Sequence, residues 1–149
     1  MNTKEQTTGS MRRISRILVA TDFSLQASNA LRSARSLAEA FGAKLILLHV
    51  IDVLTEIGFA MAGTDPFQLL REEADKRMGE LKALIPDAET IVCEASPRPA
   101  IVDAALELNC PMIVMGTHGR SGLEHLLLGS VAEYVVRHSK VPVLTVRGY

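Results

Sequence analysis

The sequence predicts an α/β fold in which a five-stranded parallel sheet carries helices on both faces, a Rossmann-like arrangement. Short apolar runs alternate with stretches of helical periodicity along the 149 residues, a pattern typical of parallel strands joined by right-handed crossovers. Apolar residues make up 48% of the chain and aromatic residues only 4%, which suits an aliphatic sheet buried between helices. We predict one domain over residues 12–149, preceded by a polar, disordered tail over residues 1–11.

The first third of the chain predicts two strands with one helix between them. Residues 16–21 (RILVAT) and 44–52 (KLILLHVID) are short apolar runs suited to buried strands. Between them, residues 25–41 place apolar side chains at helical spacing, and Gly42 follows as a stop signal. The predicted inner face of this helix consists of Ala27, Ala30, Leu31, Ala34, Leu37, Ala38 and Phe41.

A long connection and a second helix follow. Residues 54–65 are apolar and contain glycine, and they predict either a short helix or a flap beside a ligand site. Asp65 and Pro66 form a good helix start, because aspartate caps the first turn and proline fits its first position. We predict that this helix runs to about residue 84 and that a third strand covers residues 88–93.

The next part of the chain repeats the alternation of helix and strand. Ser96 and Pro97 begin a helix that is predicted to end near residue 108. Residues 111–116 (PMIVMG) form a fourth apolar run, and a further helix is predicted after Gly129.

The fifth strand is predicted over residues 141–146 (VPVLTV) and at an edge of the sheet. Pro142 indicates the edge position, because proline has no N–H to donate within a ladder. An apolar edge left unpaired favours aggregation, so we expect two copies of the chain to pair through this strand.

Glycines mark the turn between the fourth strand and the last helix. Gly116, Gly119 and the pair Gly129-Ser130 stand where a strand passes into a helix. Such a turn directs backbone N–H groups toward an anion, and glycine allows both positive φ and a close approach of phosphate. The pattern therefore predicts a bound nucleotide or another phosphate ester, without indicating catalysis.

Two other phosphate-binding motifs are absent from the sequence. The turn after the first strand, residues 21–28 (TDFSLQAS), contains no glycine, which argues against a dinucleotide-binding G-x-G-x-x-G loop. No glycine is followed by lysine anywhere in the chain, which argues against a P-loop kinase or motor-type NTPase.

The glycine spacing, G-x2-G-x9-G-S, resembles the nucleotide-binding signature of the universal stress protein family, in its ATP-binding branch. The similarity extends over about residues 12–148, and further matching segments are ILVATDFS (17–24), KLILLHVID (44–52), Pro97 with Ile101, and HSKVPVLTVR (138–147). The resemblance implies a five-stranded sheet, a homodimer through the last strand from Val141 to Val146, and bound ATP, accompanied by Mg²⁺.

The resemblance also implies a set of binding residues. Asp22 would contact the ribose or adenine end of the nucleotide, the backbone near Val50 would face the adenine ring, and the glycines would surround the phosphates. The implied nucleotide-binding residues are Ala20, Thr21, Asp22, Val50, Met115, Gly116, His118, Gly119, Arg120, Gly129, Ser130 and Val131.

Several of these residues have a structural alternative. Gly116 and Gly119 could simply form a tight exit from a strand. Ser130 begins an S-x-x-E capping box with Glu133, so its hydroxyl could cap the last helix, either alone or while also donating to a phosphate oxygen. Asp22 could cap the first helix.

The histidines and the loop arginine have alternatives as well. His118 and Arg120 could be solvated loop residues instead of phosphate ligands. His49, inside an apolar strand, is predicted to be a hydrogen-bonded structural residue, and His125 and His138 to lie at the surface.

Three functions remain open at this level. The leading one is a regulatory, ATP-binding homodimer of the stress response that hydrolyses ATP slowly or not at all. The second is a slow ATPase or adenylate hydrolase, with Arg120 stabilising charge and His118 or Asp22 handling a proton. The third is a partner-binding or chaperone-like scaffold that does not depend on nucleotide.

Composition excludes other classes of partner. The net charge is −1, so no overall field draws the chain to nucleic acid or to a membrane surface. No apolar run reaches the roughly 18 residues of a membrane span, and we expect a cytoplasmic protein. Cys93 and Cys110 lack metal-ligand spacing and are predicted to be buried thiols.

Overall fold

The chain folds as five parallel strands connected by helices. The computed structural model describes residues 13–56, 65–118 and 128–148. The strands are Arg16–Ala20 (β1), Lys44–Asp52 (β2), Glu89–Ala95 (β3), Ile113–Gly116 (β4) and Val143–Val146 (β5). The helices are Leu25–Phe41 (α1), Val53–Glu56 (α2), Pro66–Leu84 (α3), Pro97–Glu107 (α4) and Ser130–His138 (α5). These elements confirm the predicted fold class.

The strand order is β3-β2-β1-β4-β5, with every neighbouring pair parallel. The chain runs outward from β1 through β2 to β3, and then returns to β4 on the other side of β1. The direction of winding therefore reverses between β1 and β4. A doubly wound sheet opens a crevice at such a point, outside the carboxyl ends of its strands.

Two aliphatic layers bury the sheet. Alternate residues of β1 point to opposite faces: Ile17 and Val19 pack beneath α1 and α3, whereas Leu18 and Ala20 pack beneath α4 and α5. The centre of β2 divides in the same way, and Ile46 is completely buried. Both faces of the sheet are covered, as the aliphatic composition predicts.

The helix boundaries follow local chemistry. At the start of α1, the Ser24 hydroxyl accepts a hydrogen bond from the Ala27 N–H (3.2 Å). Gly42 ends α1 in the left-handed conformation, with φ 64°, and donates its N–H to the carbonyl of Ala38. The Asp65 side chain caps α3 by accepting from the Phe67 N–H (3.0 Å). The stop at Gly42 and the cap at Asp65 match the prediction, whereas the cap of α1 is Ser24 and not Asp22.

Some local expectations need correction. Phe41, the last residue of α1, keeps 43% of its surface exposed and is not part of the buried face. Cys110 is buried but Cys93 is only half-buried, because β3 is an edge strand. Burial raises the pKa of both thiols.

The strand ends also shift by one or two residues. β4 begins at Ile113 and β5 at Val143, later than predicted, and β3 continues to Ala95. Pro142 precedes β5 and contributes only its carbonyl, which accepts from the Ile113 N–H (3.0 Å). β5 lies at the edge of the sheet, as its proline predicts.

The connection after β2 begins as the short helix α2, and its remaining residues, 57–64, lie outside the described ranges. Whether they form a flap is therefore still only predicted. Within the ranges that the structure describes, no helix combines the length and hydropathy needed to cross a membrane.

Candidate functional site

A cavity of about 470 Å³ opens at the carboxyl ends of β1, β2 and β4. It occupies the point where the winding of the sheet reverses, the expected place for a ligand in this fold. Ten of the twelve predicted binding residues line it: Ala20, Thr21, Asp22, Val50, Met115, Gly116, His118, Gly129, Ser130 and Val131. The other two, Gly119 and Arg120, lie outside the described residues, as does His125. What the ten residues bind stays a prediction.

The loop between β1 and α1 forms one wall of the cavity, and side chains of this loop hold it in shape by hydrogen bonds to its own backbone. The Thr21 hydroxyl accepts from the Phe23 N–H (3.1 Å), and one Asp22 carboxylate oxygen accepts from the Ser24 N–H (3.0 Å). Asp22 therefore shapes the turn, whereas Ser24 caps the helix. The capping role considered for Asp22 is thus wrong, because Ser24 occupies the cap position of α1 and the Asp22 carboxylate accepts from the N–H of that cap residue itself.

Phe23 holds an unusual conformation in this wall. Its φ is 63°, a left-handed value that is an outlier for a bulky side chain. The ring contacts the His49 ring with centroids 4.4 Å apart and planes tilted by 36°. On α3, the guanidinium carbon of Arg77 lies 5.6 Å from the centroid of the Phe23 ring. Phe23 was not predicted as a site residue, because no sequence pattern signals this backbone conformation.

His49 is hydrogen-bonded, as predicted, and it also lines the cavity. Its Nδ1 lies 2.8 Å from the Thr21 carbonyl oxygen. A carbonyl only accepts, so Nδ1 carries the proton in this contact. The histidine thereby connects the end of β2 to the loop that follows β1.

The two described glycines of the signature do not use positive φ. Gly42 alone among the described glycines has a left-handed backbone, and Gly129 has φ −68°. A Cβ on Gly116 would lie 3.0 Å from the Cβ of Gln26 and 3.1 Å from its carbonyl carbon. Glycine at position 116 is explained by close packing of β4 on α1, a structural reason that is compatible with a phosphate-binding role.

Gly129 contacts the residue that follows β4. Its N–H donates to the Thr117 carbonyl (2.7 Å), and a Cβ at this position would lie 3.0 Å from the same oxygen. The Thr117 N–H in turn donates to the Val146 carbonyl (2.9 Å). Glycine at position 129 allows the backbone before α5 to approach the backbone that follows β4, at the rim of the cavity.

The capping box considered as an alternative for Ser130 is not formed. Gly129 occupies the cap position, with extended backbone, and Ser130 is already the first helical residue, with no side-chain cap hydrogen bond. The Glu133 carboxylate pairs with Arg137 Nη2 (2.9 Å) on the next turn of α5, instead of reaching back. Ser130 is exposed at the cavity rim.

The charge of the cavity comes mainly from carboxylates on its β2 and α3 side. Asp52 and Glu73 join Asp22 in the lining; neither was predicted, although Asp52 stands at the carboxyl end of a predicted strand. Asp52 accepts from the Leu54 N–H (3.0 Å), and Glu73 pairs with Arg77 Nε (2.6 Å). Among the described lining residues there is no lysine or arginine.

The opposite side of the cavity suits an anion better. His118 and the amino end of α5 lie there, and the start of a helix carries partial positive charge. His118 Nδ1 is 3.1 Å from the Thr117 hydroxyl. The cavity therefore has one acidic side and one side that favours negative charge.

The walls between these sides are apolar. Leu70 and Ala74 of α3 and Pro97 and Ile101 of α4 contribute to them. Pro97 and Ile101 belong to the family resemblance seen in the sequence. Leu70 and Ala74 have the same four-residue spacing, which places each pair on one face of a helix. The arrangement of apolar walls with a few polar groups is typical of small-molecule sites.

The chain is similar in sequence to proteins of a known family. Residues 13–147 match the universal stress protein family. Universal stress protein MJ0531 of Methanocaldococcus jannaschii is 33% identical over 138 residues, covering 89% of this chain and 81% of the relative. Universal stress protein MJ0577 of the same organism is 32% identical over 152 residues, covering 89% of this chain and 94% of the relative.

Solved structures show the same architecture. The structure of MJ0577 superposes with a TM-score of 0.83 at 33% identity, covering 92% of this chain and 98% of that one. A universal stress protein solved in complex with cAMP superposes with a TM-score of 0.59 at 30% identity, covering 89% of this chain and 95% of that one.

Proposed function

Because this chain belongs to the universal stress protein family, we propose that it binds an adenine nucleotide, with ATP as the physiological ligand, in the cavity at the carboxyl ends of β1, β2 and β4. The observation that carries the proposal is the cavity itself, which stands at the reversal of winding and gathers ten of the predicted residues. The related protein solved with cAMP supports an adenine ligand. We place this function in the cytoplasm, in regulation of the stress response.

The charge distribution supports one orientation of the nucleotide. The uncharged base and ribose belong beside Asp22 and the end of β2 near Val50, because a carboxylate accepts hydrogen bonds from ribose hydroxyls and repels phosphate. The phosphates belong beside His118, Gly129 and Ser130, where the amino end of α5 favours an anion.

The residues present fit Mg²⁺ only as a companion of the phosphates. The described residues contain no group of three or more metal-ligating side chains that could hold an ion by themselves. Magnesium in nucleotide sites usually takes substrate phosphates with one or two carboxylates, and Asp22, Asp52 and Glu73 line the same cavity. When bound, the ion would neutralise phosphate charge.

We expect Mg·ATP to bind saturably to protein stripped of nucleotide, in isothermal titration. Asp22→Ala should weaken the affinity about tenfold or more, since a hydrogen bond to a charged group contributes about 1.5–3 kcal/mol. Asp75→Ala is the matched control, because Asp75 is exposed on α3 and outside the cavity. Absence of binding by the wild type would leave the nucleotide-independent scaffold as the better function.

A slow ATPase is the second candidate, because His118 and Asp22 line one cavity. Phosphate release measured on the titrated samples distinguishes the two functions. Sustained turnover that His118→Ala abolishes would establish the ATPase, whereas saturable binding without turnover supports the regulatory role.

We also propose that two copies associate through β5. Among the described strands, it pairs with β4 alone, and all four of its residues are half-buried in the isolated chain. An edge of this kind is a template for pairing with a second strand. Sedimentation velocity at micromolar concentration should show a dimer, and a monomer at that concentration would contradict the proposal.

A further inference from the structure

Phe23 is held in place by two elements outside its own loop. Left-handed backbone at a bulky residue persists only where the surroundings hold it. The His49 ring from β2 contacts the Phe23 ring with centroids 4.4 Å apart, and Arg77 from α3 lies 5.6 Å from its centroid. Arg77 is itself held by Glu73 (2.6 Å). We call Phe23, His49 and Arg77 the aromatic clamp.

The conformation of Phe23 controls where its neighbour points. Asp22 immediately precedes Phe23, and its carboxylate accepts from the Ser24 N–H (3.0 Å) across the left-handed residue. The Phe23 N–H donates to the Thr21 hydroxyl (3.1 Å). If Phe23 left the left-handed region, the residues on either side of it would be re-aimed, and both hydrogen bonds would be lost.

The clamp also joins the two walls on the acidic side of the cavity. His49 is tied to the Thr21 carbonyl (2.8 Å), while Phe23 packs against the aliphatic layer beneath α1 and α3. Phe23, His49 and Glu73 all line the cavity. A change at the clamp therefore reaches the site without altering any group assigned to the phosphates.

We propose that Phe23 is a positioning residue: the clamp holds its left-handed backbone, which aims the Asp22 carboxylate at the base and ribose end of the bound nucleotide. The inference rests on the proposed nucleotide site. It adds two residues to those that determine the affinity of the site. The side chain of Phe23 has no hydrogen-bonding group, and Arg77 stands on α3 and is not among the residues that line the cavity.

The test compares Phe23→Leu, which removes the ring, with Phe23→Tyr, which keeps it. Phe41→Leu is the matched control, because that phenylalanine is 43% exposed at the far end of α1. Hydrogen exchange of the Ser24 amide, measured without nucleotide, reports the Asp22 contact. Titration with Mg·ATP reports the affinity of the site.

Phe23→Leu should speed exchange at Ser24 and weaken Mg·ATP about tenfold, the equivalent of about 1.4 kcal/mol. Phe23→Tyr and Phe41→Leu should stay within about twofold of the wild type, since each preserves the clamp. Should Phe23→Leu not fold, Arg77→Gln provides the test, with affinity expected to fall about threefold through loss of the cation at the ring.

Unchanged Ser24 exchange and unchanged affinity in the variant that folds would overturn the positioning role while leaving the proposed function intact. Faster Ser24 exchange with unchanged affinity would also overturn it, because the turn would then have no effect on the ligand. Wild-type protein that binds no Mg·ATP would overturn the proposed function and this inference together.

Discussion

Gly129→Val should weaken nucleotide binding strongly while leaving a folded protein. A side chain at position 129 would place its Cβ 3.0 Å from the Thr117 carbonyl oxygen, so the contact between the end of β4 and the start of α5 must open. Overpacking of this kind costs about 1–3 kcal/mol, which corresponds to a loss of about five- to 150-fold in affinity if the strain falls on the binding conformation. Titration with Mg·ATP measures the loss.

Gly79→Val is the matched control for this substitution. Gly79 lies within α3, and a Cβ there would meet nothing within 4 Å. Its affinity for Mg·ATP should equal that of the wild type, and circular dichroism should show both variants folded. Wild-type affinity in folded Gly129→Val would contradict the role assigned to this rim of the cavity.

Ile46→Ala is expected to cause the largest loss of stability. Ile46 is completely buried in β2, which pairs on one side with β1 and on the other with β3. Replacement of such a residue by alanine lowers the free energy of unfolding by about 2–5 kcal/mol, because burial is lost and the tightly packed layer cannot close the cavity. Urea denaturation followed by circular dichroism measures the difference.

The comparison for this variant is Leu84→Ala. Leu84 keeps 71% of its surface exposed at the end of α3, so its truncation should change the stability by no more than about 0.5 kcal/mol. Equal losses in the two variants would mean that the layer beneath α4 and α5 does not contribute to stability as its burial indicates.

Local patterns predicted most of the fold because the interactions that form its elements are local. The apolar periodicity of α1, the left-handed stop at Gly42 and the cap at Asp65 all depend on neighbours within one helical turn. Pro142 predicted the edge position of β5 because the missing N–H of a proline is a property of that single residue. Strand ends were less accurate, since a ladder ends where its partner strand ends.

The reasons for individual site residues were harder to predict. Ser130 and Glu133 have the sequence of a capping box, which would start the helix after Ser130, yet Gly129 occupies the cap position and α5 begins one residue earlier, at Ser130 itself. Glycine at position 116 reflects the approach of Gln26 from α1, a residue 90 positions away in the chain. A motif specifies residue types and spacing, whereas the contact that requires each type comes from a distant segment.

The sequence by itself determined the fold class, the edge strand and the set of segments that meet at the carboxyl ends of the strands, because periodicity and chain order encode these features locally. Only the tertiary structure decided how the site is built. It placed Asp52 and Glu73 on one acidic side and set the His49 ring against Phe23. Those arrangements depend on the packing of β2 and α3 against the loop after β1, and side chains from separate segments acquire fixed distances only when the core closes.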